Sequence, residues 1–295
     1  MTVLIITKID RNEYETERLL ESFTSKGIEA QACHPDRFDL IVNHNLENCI
    51  KYHGADIEMP KLVLVRLGAG ILPFQLAVLR QFEYSNIPCI NPSESINIVR
   101  DKLRTSQILA QHNLPTPKTM MVRYPIDLGL VEDNIGFPCV VKLVTGSYGE
   151  GIYLCERKRD YKKLMEFIDT LGANKKTMLV QEYMGHRPGE DLRVYVVGGK
   201  VLGAMKRTAP EGDFRANITN GGTGEAYPVD EKMEFIALET AKVLGLDIAG
   251  IDLLFTEDGY VVCEANSNPG FRGFDHYCQV DIADKITEYI KFKLQ

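Results

Sequence analysis

The sequence predicts a protein that is part α/β and part α+β: a small parallel lobe followed by two lobes built on antiparallel hairpins. Three observations predict it. The first ninety or so residues alternate apolar, β-rich runs with helical segments, the pattern of a parallel sheet. After Pro115 and Pro117 the strands instead arrive in pairs separated by tight turns. A chain of 295 residues, 44% hydrophobic and 25% charged, is long enough to bury a large core and to divide into lobes.

The elements follow in order. Residues 3–7 form an apolar run and read as a first strand. Residues 12–26 carry Leu19, Leu20 and Phe23 on one helical face and end at Gly27. A Val/Leu strand at 61–67, a helix at 73–85 and a short strand at 88–90 complete the first lobe. Asn91-Pro92 is its exit, because the residue before proline is pushed out of the helical region. One helix is expected over 95–112. Three strand pairs follow: 139–144 with 152–155, 192–197 with 200–206, and 248–255 with 260–264. Helices at 159–171 and 231–244 separate them. The expected lobes are 1–92, 93–180 and 181–295, with no internal repeat and no low-complexity linker.

A formal charge of −7 argues against a general nucleic-acid or membrane-surface binder, since phosphate-backbone affinity comes from basic patches. A local basic pocket for one small polyanion stays open. No apolar run approaches the roughly 20 residues that span a bilayer. The N-terminus lacks the basic leading segment of a signal peptide. Seven scattered cysteines form no CxxC pair and suit reduced, buried thiols, so the expected compartment is the cytoplasm.

The strongest chemical signal lies at 251–266, two strands around a Glu-Asp-Gly turn. A three-residue loop over 257–259 sets Asp252 opposite Glu264, with Cβ atoms about 4.5–5.5 Å apart. Alternation puts Asn266 on the face of Glu264. Facing carboxylates repel, so one is protonated or a cation sits between them. An all-oxygen set favours a hard ion such as Mg²⁺. The alternative is an acidic strand edge facing solvent.

Lys142 is a single cation in the apolar strand 139–144, and a buried ammonium needs an anionic partner. Next comes a loop holding Gly146, Ser147, Gly149 and Gly151. Its glycines would let backbone N–H groups approach phosphate, although a plain hairpin turn explains them equally well. It is neither a P-loop nor a dinucleotide fingerprint, since no helix follows. Lys102 is uninformative alone. Glu182 and Tyr183 end a strand whose backbone could meet an adenine edge. A Gly198-Gly199 turn sets Asp191 opposite Lys206, either as a surface salt bridge or with Asp191 facing a ribose. Lys206, Arg207 and Arg215 lie close together ahead of glycine-rich 220–224, as an anion site or as a solvated loop.

As an ordered set these residues resemble the ATP-grasp superfamily, and within it the RimK-like ligases. The marks are Asp101-Lys102, the Lys142 strand with its glycine loop, Gln181-Glu182-Tyr183 and Asp191-Leu-Arg193. They continue with the 211–217 run, Gly250-Ile-Asp252, and Cys263-Glu264-Ala-Asn266-Ser-Asn-Pro269-Gly270. The resemblance covers nearly the whole chain. It implies a pre-ATP-grasp N-terminal lobe, a central lobe carrying a glycine flap and a C-terminal antiparallel-sheet lobe.

It also implies roles. Lys102 and Lys142 would grip ATP phosphates, with Gly146, Ser147, Gly149 and Gly151 closing over them. Glu182 and Tyr183 would read adenine, and Asp191 would contact the ribose or another part of the nucleotide. Arg215, Ala216 and Asn217 would face phosphate and the activated acyl group, with Arg215, Asn217 and Lys142 as the catalytic set. Asp252, Glu264 and Asn266 would hold two Mg²⁺ ions, which Mn²⁺ can replace. Arg207, Asn268 and Arg272 are the substrate candidates. In 271–279 the chain departs from the family's smaller, more acidic residues.

The implied activity is ligation of glutamate or a similar amino acid to an acceptor, with ATP forming an acyl phosphate and leaving as ADP. The acceptor would be a small molecule, a peptide or a protein C-terminus. Side-chain amide or ester formation in a precursor peptide is the alternative, followed by a nucleotide-binding regulator without turnover and a kinase. No nucleic-acid or membrane partner is expected, and the first lobe is a candidate homo-oligomer interface.

Overall fold

The computed structural model describes residues 2–8, 13–44, 49–68, 70–123, 127–143, 151–170, 177–213, 216 and 221–295. The elements of the first lobe are β1 (Val3–Thr7), α1 (Glu13–Ser25), β2 (Ala30–Cys33), β3 (Phe38–Leu40), β4 (Ile50–Tyr52), β5 (Ala55–Asp56), β6 (Leu62–Arg66), α2 (Pro73–Tyr84) and β7 (Cys89–Ile90). Strands β2-β1-β6-β7 form a parallel sheet, as the alternating pattern predicts, and β3, β4 and β5 make a separate antiparallel sheet. All five residues of β1 and of β6 are buried, because helices cover both faces of a parallel sheet.

The helix expected over 95–112 is two helices, α3 (Ser93–Arg100) and α4 (Lys102–Gln111). Asp101 breaks the run: its backbone is extended and its carboxylate accepts from the Arg104 N–H at 3.0 Å, capping α4. That cap makes Lys102 the first residue of a new helix.

The remaining elements are β8 (Thr119–Arg123), α5 (Leu128–Asn134), β9 (Cys139–Leu143), β10 (Ile152–Cys155), α6 (Lys158–Thr170), β11 (Thr177–Glu182), β12 (Glu190–Val197), β13 (Lys200–Thr208), β14 (Thr223–Tyr227), α7 (Glu231–Val243), β15 (Ile248–Thr256), β16 (Gly259–Asn266), α8 (Arg272–Cys278) and α9 (Ile282–Lys293). Two antiparallel sheets result, ordered β10-β9-β11-β8 and β14-β13-β12-β15-β16. Strand β11 runs across the expected lobe boundary at 180, and its partners keep it with the central sheet.

Two cores tie the lobes together. One lies between the five-stranded sheet and helices α3, α4 and α7, from Val99 and Leu109 to Ile236 and Val262. The other joins Val3, Ile5, Leu19 and Phe23 of the first lobe to Tyr195, Phe271, Phe274, Ile282 and Ile286 of the last. No helix among the described residues is long and apolar enough to cross a membrane.

Candidate active site

The acidic hairpin pairs as expected, by a different route. Its turn has two residues, since Thr256 faces Gly259, and a bulge follows at Cys263. The short turn moves the register by one and the bulge restores it, so Asp252 does face Glu264 and Gly250 faces Asn266. The next hairpin shows the opposite outcome. The Gly198-Gly199 turn forms, but a bulge between Tyr195 and Gly203 shifts the ladder, and Asp191 faces Arg207 in place of Lys206. Lys206 pairs with Glu190 and Glu225.

That one-residue shift builds a ladder of charge across the sheet. Arg207, 4% exposed, donates from Nε and Nη2 to the two oxygens of Asp191, and its Nη2 lies 3.0 Å from Asp252 Oδ2. Arg193, facing Asp252 from β12, binds the same carboxylate through Nε and through Nη2 at 2.7 Å. Burial pushes the Asp252 carboxyl up, but Arg193 and Arg207 outweigh it and hold it below the ordinary value. Asp191 goes the other way, pushed up by burial despite Arg207. Burial lowers the Arg207 guanidinium, while Asp252 and Asp191 more than reverse this and raise it.

Glu264 meets Lys102 Nζ at 2.5 Å. Burial pulls the Lys102 ammonium down, and Glu264 more than restores it, leaving it above its usual value. The repulsion between Asp252 and Glu264 is thus relieved by three cations of the chain itself, so charge balance alone does not demand a metal. The donor chemistry does fit one. Asn266 Nδ2 donates to Asp252 Oδ2 and to the Gly250 carbonyl, each at 3.4 Å, so two carboxylates and an amide meet across β15 and β16, and the amide oxygen would be the group turned to an ion. Among the described residues no group of three or more His, Cys, Asp or Glu side chains is placed to hold an ion. A bound ion would take much of its shell from water and phosphate oxygens, which suits Mg²⁺.

Lys142, on β9, donates to Gln181 Oε1 at 2.7 Å, and Gln181 Nε2 donates to Thr119 Oγ1 at 2.8 Å. An open cleft runs between the two antiparallel sheets, with Lys102, Ser106, Lys142, Gln181, Cys263 and Glu264 in its wall. Burial pushes the Cys263 thiol up, so it is no ready nucleophile. Lys102 and Lys142, far apart in sequence, therefore face one space together with Glu264.

The other expected residues are spread around it. The Glu182 N–H donates to the Lys118 carbonyl at 3.0 Å and its carboxylate accepts from the Lys118 N–H. The Tyr183 carbonyl accepts from the Gly185 N–H in the turn that follows. Ala216 is buried, and Gly151 adopts a φ of 71°, where only glycine is at ease. Asn268 buries its amide oxygen with no hydrogen-bond partner. Arg272 is exposed, its guanidinium 5.6 Å from the centre of the Tyr14 ring. Gly146, Ser147, Gly149, Arg215 and Asn217 lie outside the described residues. Sequence reasoning gave Arg193 and Gln181 no role. A lone arginine in the apolar run 192–197 was the same signal that singled out Lys142.

The model of the RimK-like ATP-grasp domain matches residues 99–290, and that of the RimK PreATP-grasp domain matches 1–96. The chain belongs to the RimK-like ATP-grasp family. A probable alpha-L-glutamate ligase of Aeromonas salmonicida is 38% identical over 99% of this chain and 97% of its own. Two solved structures share the ATP-grasp fold at lower identity. One is the ATP-grasp ligase PsnB, bound to a phosphomimetic variant of its minimal precursor, Mg and ADP. It has a TM-score of 0.76 and 21% identity, covering 100% of this chain and 98% of PsnB. The other is a RimK domain protein of Sphaerobacter thermophilus, with a TM-score of 0.75 and 22% identity over 98% and 99% of the two chains. In this family member the cleft between the two antiparallel sheets, with its paired lysines, is the candidate nucleotide site.

Proposed function

We propose that this protein is an ATP-dependent carboxylate–amine ligase that joins glutamate, or a similar amino acid, to an acceptor. The observation that carries it is the convergence of Lys102, Lys142 and Glu264 on one cleft, beside the Asp252–Asn266 edge. The relative named as a glutamate ligase, matched over nearly its full length, supports the same reading.

Lys102 and Lys142 place two ammonium groups in the cleft wall, where they balance polyphosphate charge. Gln181 keeps the Lys142 ammonium in place through its hydrogen bond. Asp252, Glu264 and Asn266 would hold Mg²⁺, the ion that PsnB was solved with, whether as one ion or two and with Mn²⁺ as a substitute. When bound, the ion supplies charge neutralisation for phosphoryl transfer. The substrate carboxylate attacks the γ-phosphate of ATP, giving an acyl phosphate and ADP. The amine then attacks the acyl carbon, and the tetrahedral intermediate expels phosphate. Arg207, buried against Asp191 and Asp252, serves this chemistry by holding the carboxylate ladder. Arg215, Ala216 and Asn217 would face the transferred group, with Asn268 and Arg272 nearer the acceptor.

The test is product analysis with ATP, Mg²⁺, glutamate and a panel of amine acceptors. ADP and phosphate should appear in equal amounts, and only when acid and amine are both present. Release of AMP and pyrophosphate, or turnover indifferent to the amine, would overturn the proposal.

A further inference from the structure

The backbone that follows Asn266 is held from the first lobe. Asn91, at the end of β7, is 1% exposed. Its Nδ2 donates to the carbonyls of Ile248 and Ser267, both at 2.7 Å. Its Oδ1 accepts from the backbone N–H groups of Asp247 at 2.8 Å and Ile248 at 2.9 Å. An asparagine amide has two donor hydrogens and two acceptor lone pairs. All four are used.

They are used where the β15–β16 ladder ends. The last paired residues there are Gly250 and Asn266. One step beyond, Asn91 ties the start of β15 to Ser267. Two residues further, the Pro269 carbonyl accepts from Arg66 Nη2 at 2.9 Å and from the Tyr195 hydroxyl at 3.1 Å. The strands are also pressed together at this point, since a Cβ on Gly250 would lie 2.7 Å from Pro269 Cβ.

We infer that Asn91, together with Arg66, is a positioning residue for the metal ligands. The two side chains fix the backbone of 266–269 so that the Asn266 amide faces Asp252 and Glu264. This rests on the reading of Asp252, Glu264 and Asn266 as the magnesium set. Neither Asn91 nor Arg66 lines the cleft, so both act through the strand end that they hold.

The experiment compares wild type with Asn91→Ala and Arg66→Met, with Ser95→Ala as control. Ser95 donates to the Gly245 carbonyl at 2.7 Å and so removes a comparable bond to the same lobe without touching 266–269. Magnesium binding to the ADP complex is measured by calorimetry, apart from turnover. Loss of such outer partners typically weakens metal binding by about ten- to a hundredfold, and that is the expected change for Asn91→Ala. Ser95→Ala should match wild type. In the metal-free protein, the amides of Ser267, Asn268 and Gly270 should exchange faster in Asn91→Ala.

A folded Asn91→Ala protein with wild-type magnesium affinity overturns the inference. If that variant does not fold, Arg66→Met is read in the same way, and unchanged affinity there overturns it. A wild type that binds no magnesium with ADP removes the ligand assignment and this inference together. A wild type that binds it, beside unaffected variants, removes this inference alone.

Discussion

Arg207 shows how much a single side chain can carry. Its buried guanidinium bridges Asp191 and Asp252, so its removal strands the Asp191 carboxylate and leaves Asp252 to Arg193 alone. Breaking one partner out of a buried ion pair costs about 3–5 kcal/mol. Arg207→Ala should therefore lose stability of that order in urea denaturation, and Asp191→Ala added to it should cost less than the sum of the two single changes. A loss under about 1 kcal/mol would mean that the ladder is not held as described. Gln181 makes a gentler test. A hydrogen bond to a charged group contributes about 1.5–3 kcal/mol. Gln181→Leu should lower the melting temperature by the loss of that bond and, with Lys142 no longer held, raise the KM for ATP about tenfold. An unchanged KM would free Lys142 of any need for this partner. Lys142 stood out in the sequence because a cation in an apolar strand is anomalous. Asn91 did not, because an asparagine before proline is fully explained as the exit from the first lobe.

Pairings along the strands depend on bulges, and bulges were the part of the fold hidden from the sequence. The hairpins themselves were legible from apolar runs and glycine turns. Their registers were not, because an extra residue is inserted where side-chain packing and twist require it, with no mark in the local composition. Asp252 met Glu264 only because a shorter turn and a bulge at Cys263 cancel, whereas one bulge in β13 was enough to replace Lys206 by Arg207 opposite Asp191. The long helix expected over 95–112 failed for a related reason, since Asp101 competes for the backbone as a cap.

Helix α7 offers a pH test of such a cap. Asp230 accepts from the Met233 N–H at 2.7 Å and from the Tyr260 hydroxyl at 2.6 Å. Burial pushes its carboxyl up, and Tyr260 with the Met233 and Lys232 N–H groups brings it below the ordinary value. A carboxyl depressed in the folded state contributes stability above its unfolded pKa, about 3.9, which is lost as pH falls through the folded value. Asp230→Asn keeps a capping oxygen without the charge. Its melting temperature should lie below wild type at pH 6, and the gap should close as pH falls below about 4. A gap that does not change with pH would assign the effect to shape alone.

Two of the molecule's cores are shared between lobes, and this explains why the lobes were easier to name than to separate. Helices α3 and α4 precede the central sheet in sequence, yet Val99 and Leu109 pack under the C-terminal sheet. Likewise α9 lies against α1: Lys26 pairs with Asp284, and Arg18 with Asp281 at 2.7 Å. Ile282, Ile286 and Ile290 sit in one cluster with Leu19 and Phe23. Removing a fully buried isoleucine side chain costs about 2–5 kcal/mol. Ile286→Ala should lower the melting of both lobes in one shared transition, read by calorimetry. Separate transitions, with only the C-terminal one shifted, would show that the cluster does not couple them.

The contact between α1 and α9 also bears on synthesis. A chain leaves the ribosome from its N-terminus, at about 5–20 residues per second. Leu19 and Phe23 emerge early, and the isoleucines that cover them follow only after more than 250 further residues. Until then Leu19 and Phe23 have only their own lobe's Val3, Ile5, Leu62, Leu64 and Ile90 to pack against. The first lobe therefore completes this part of its core only with residues from the far end of the sequence.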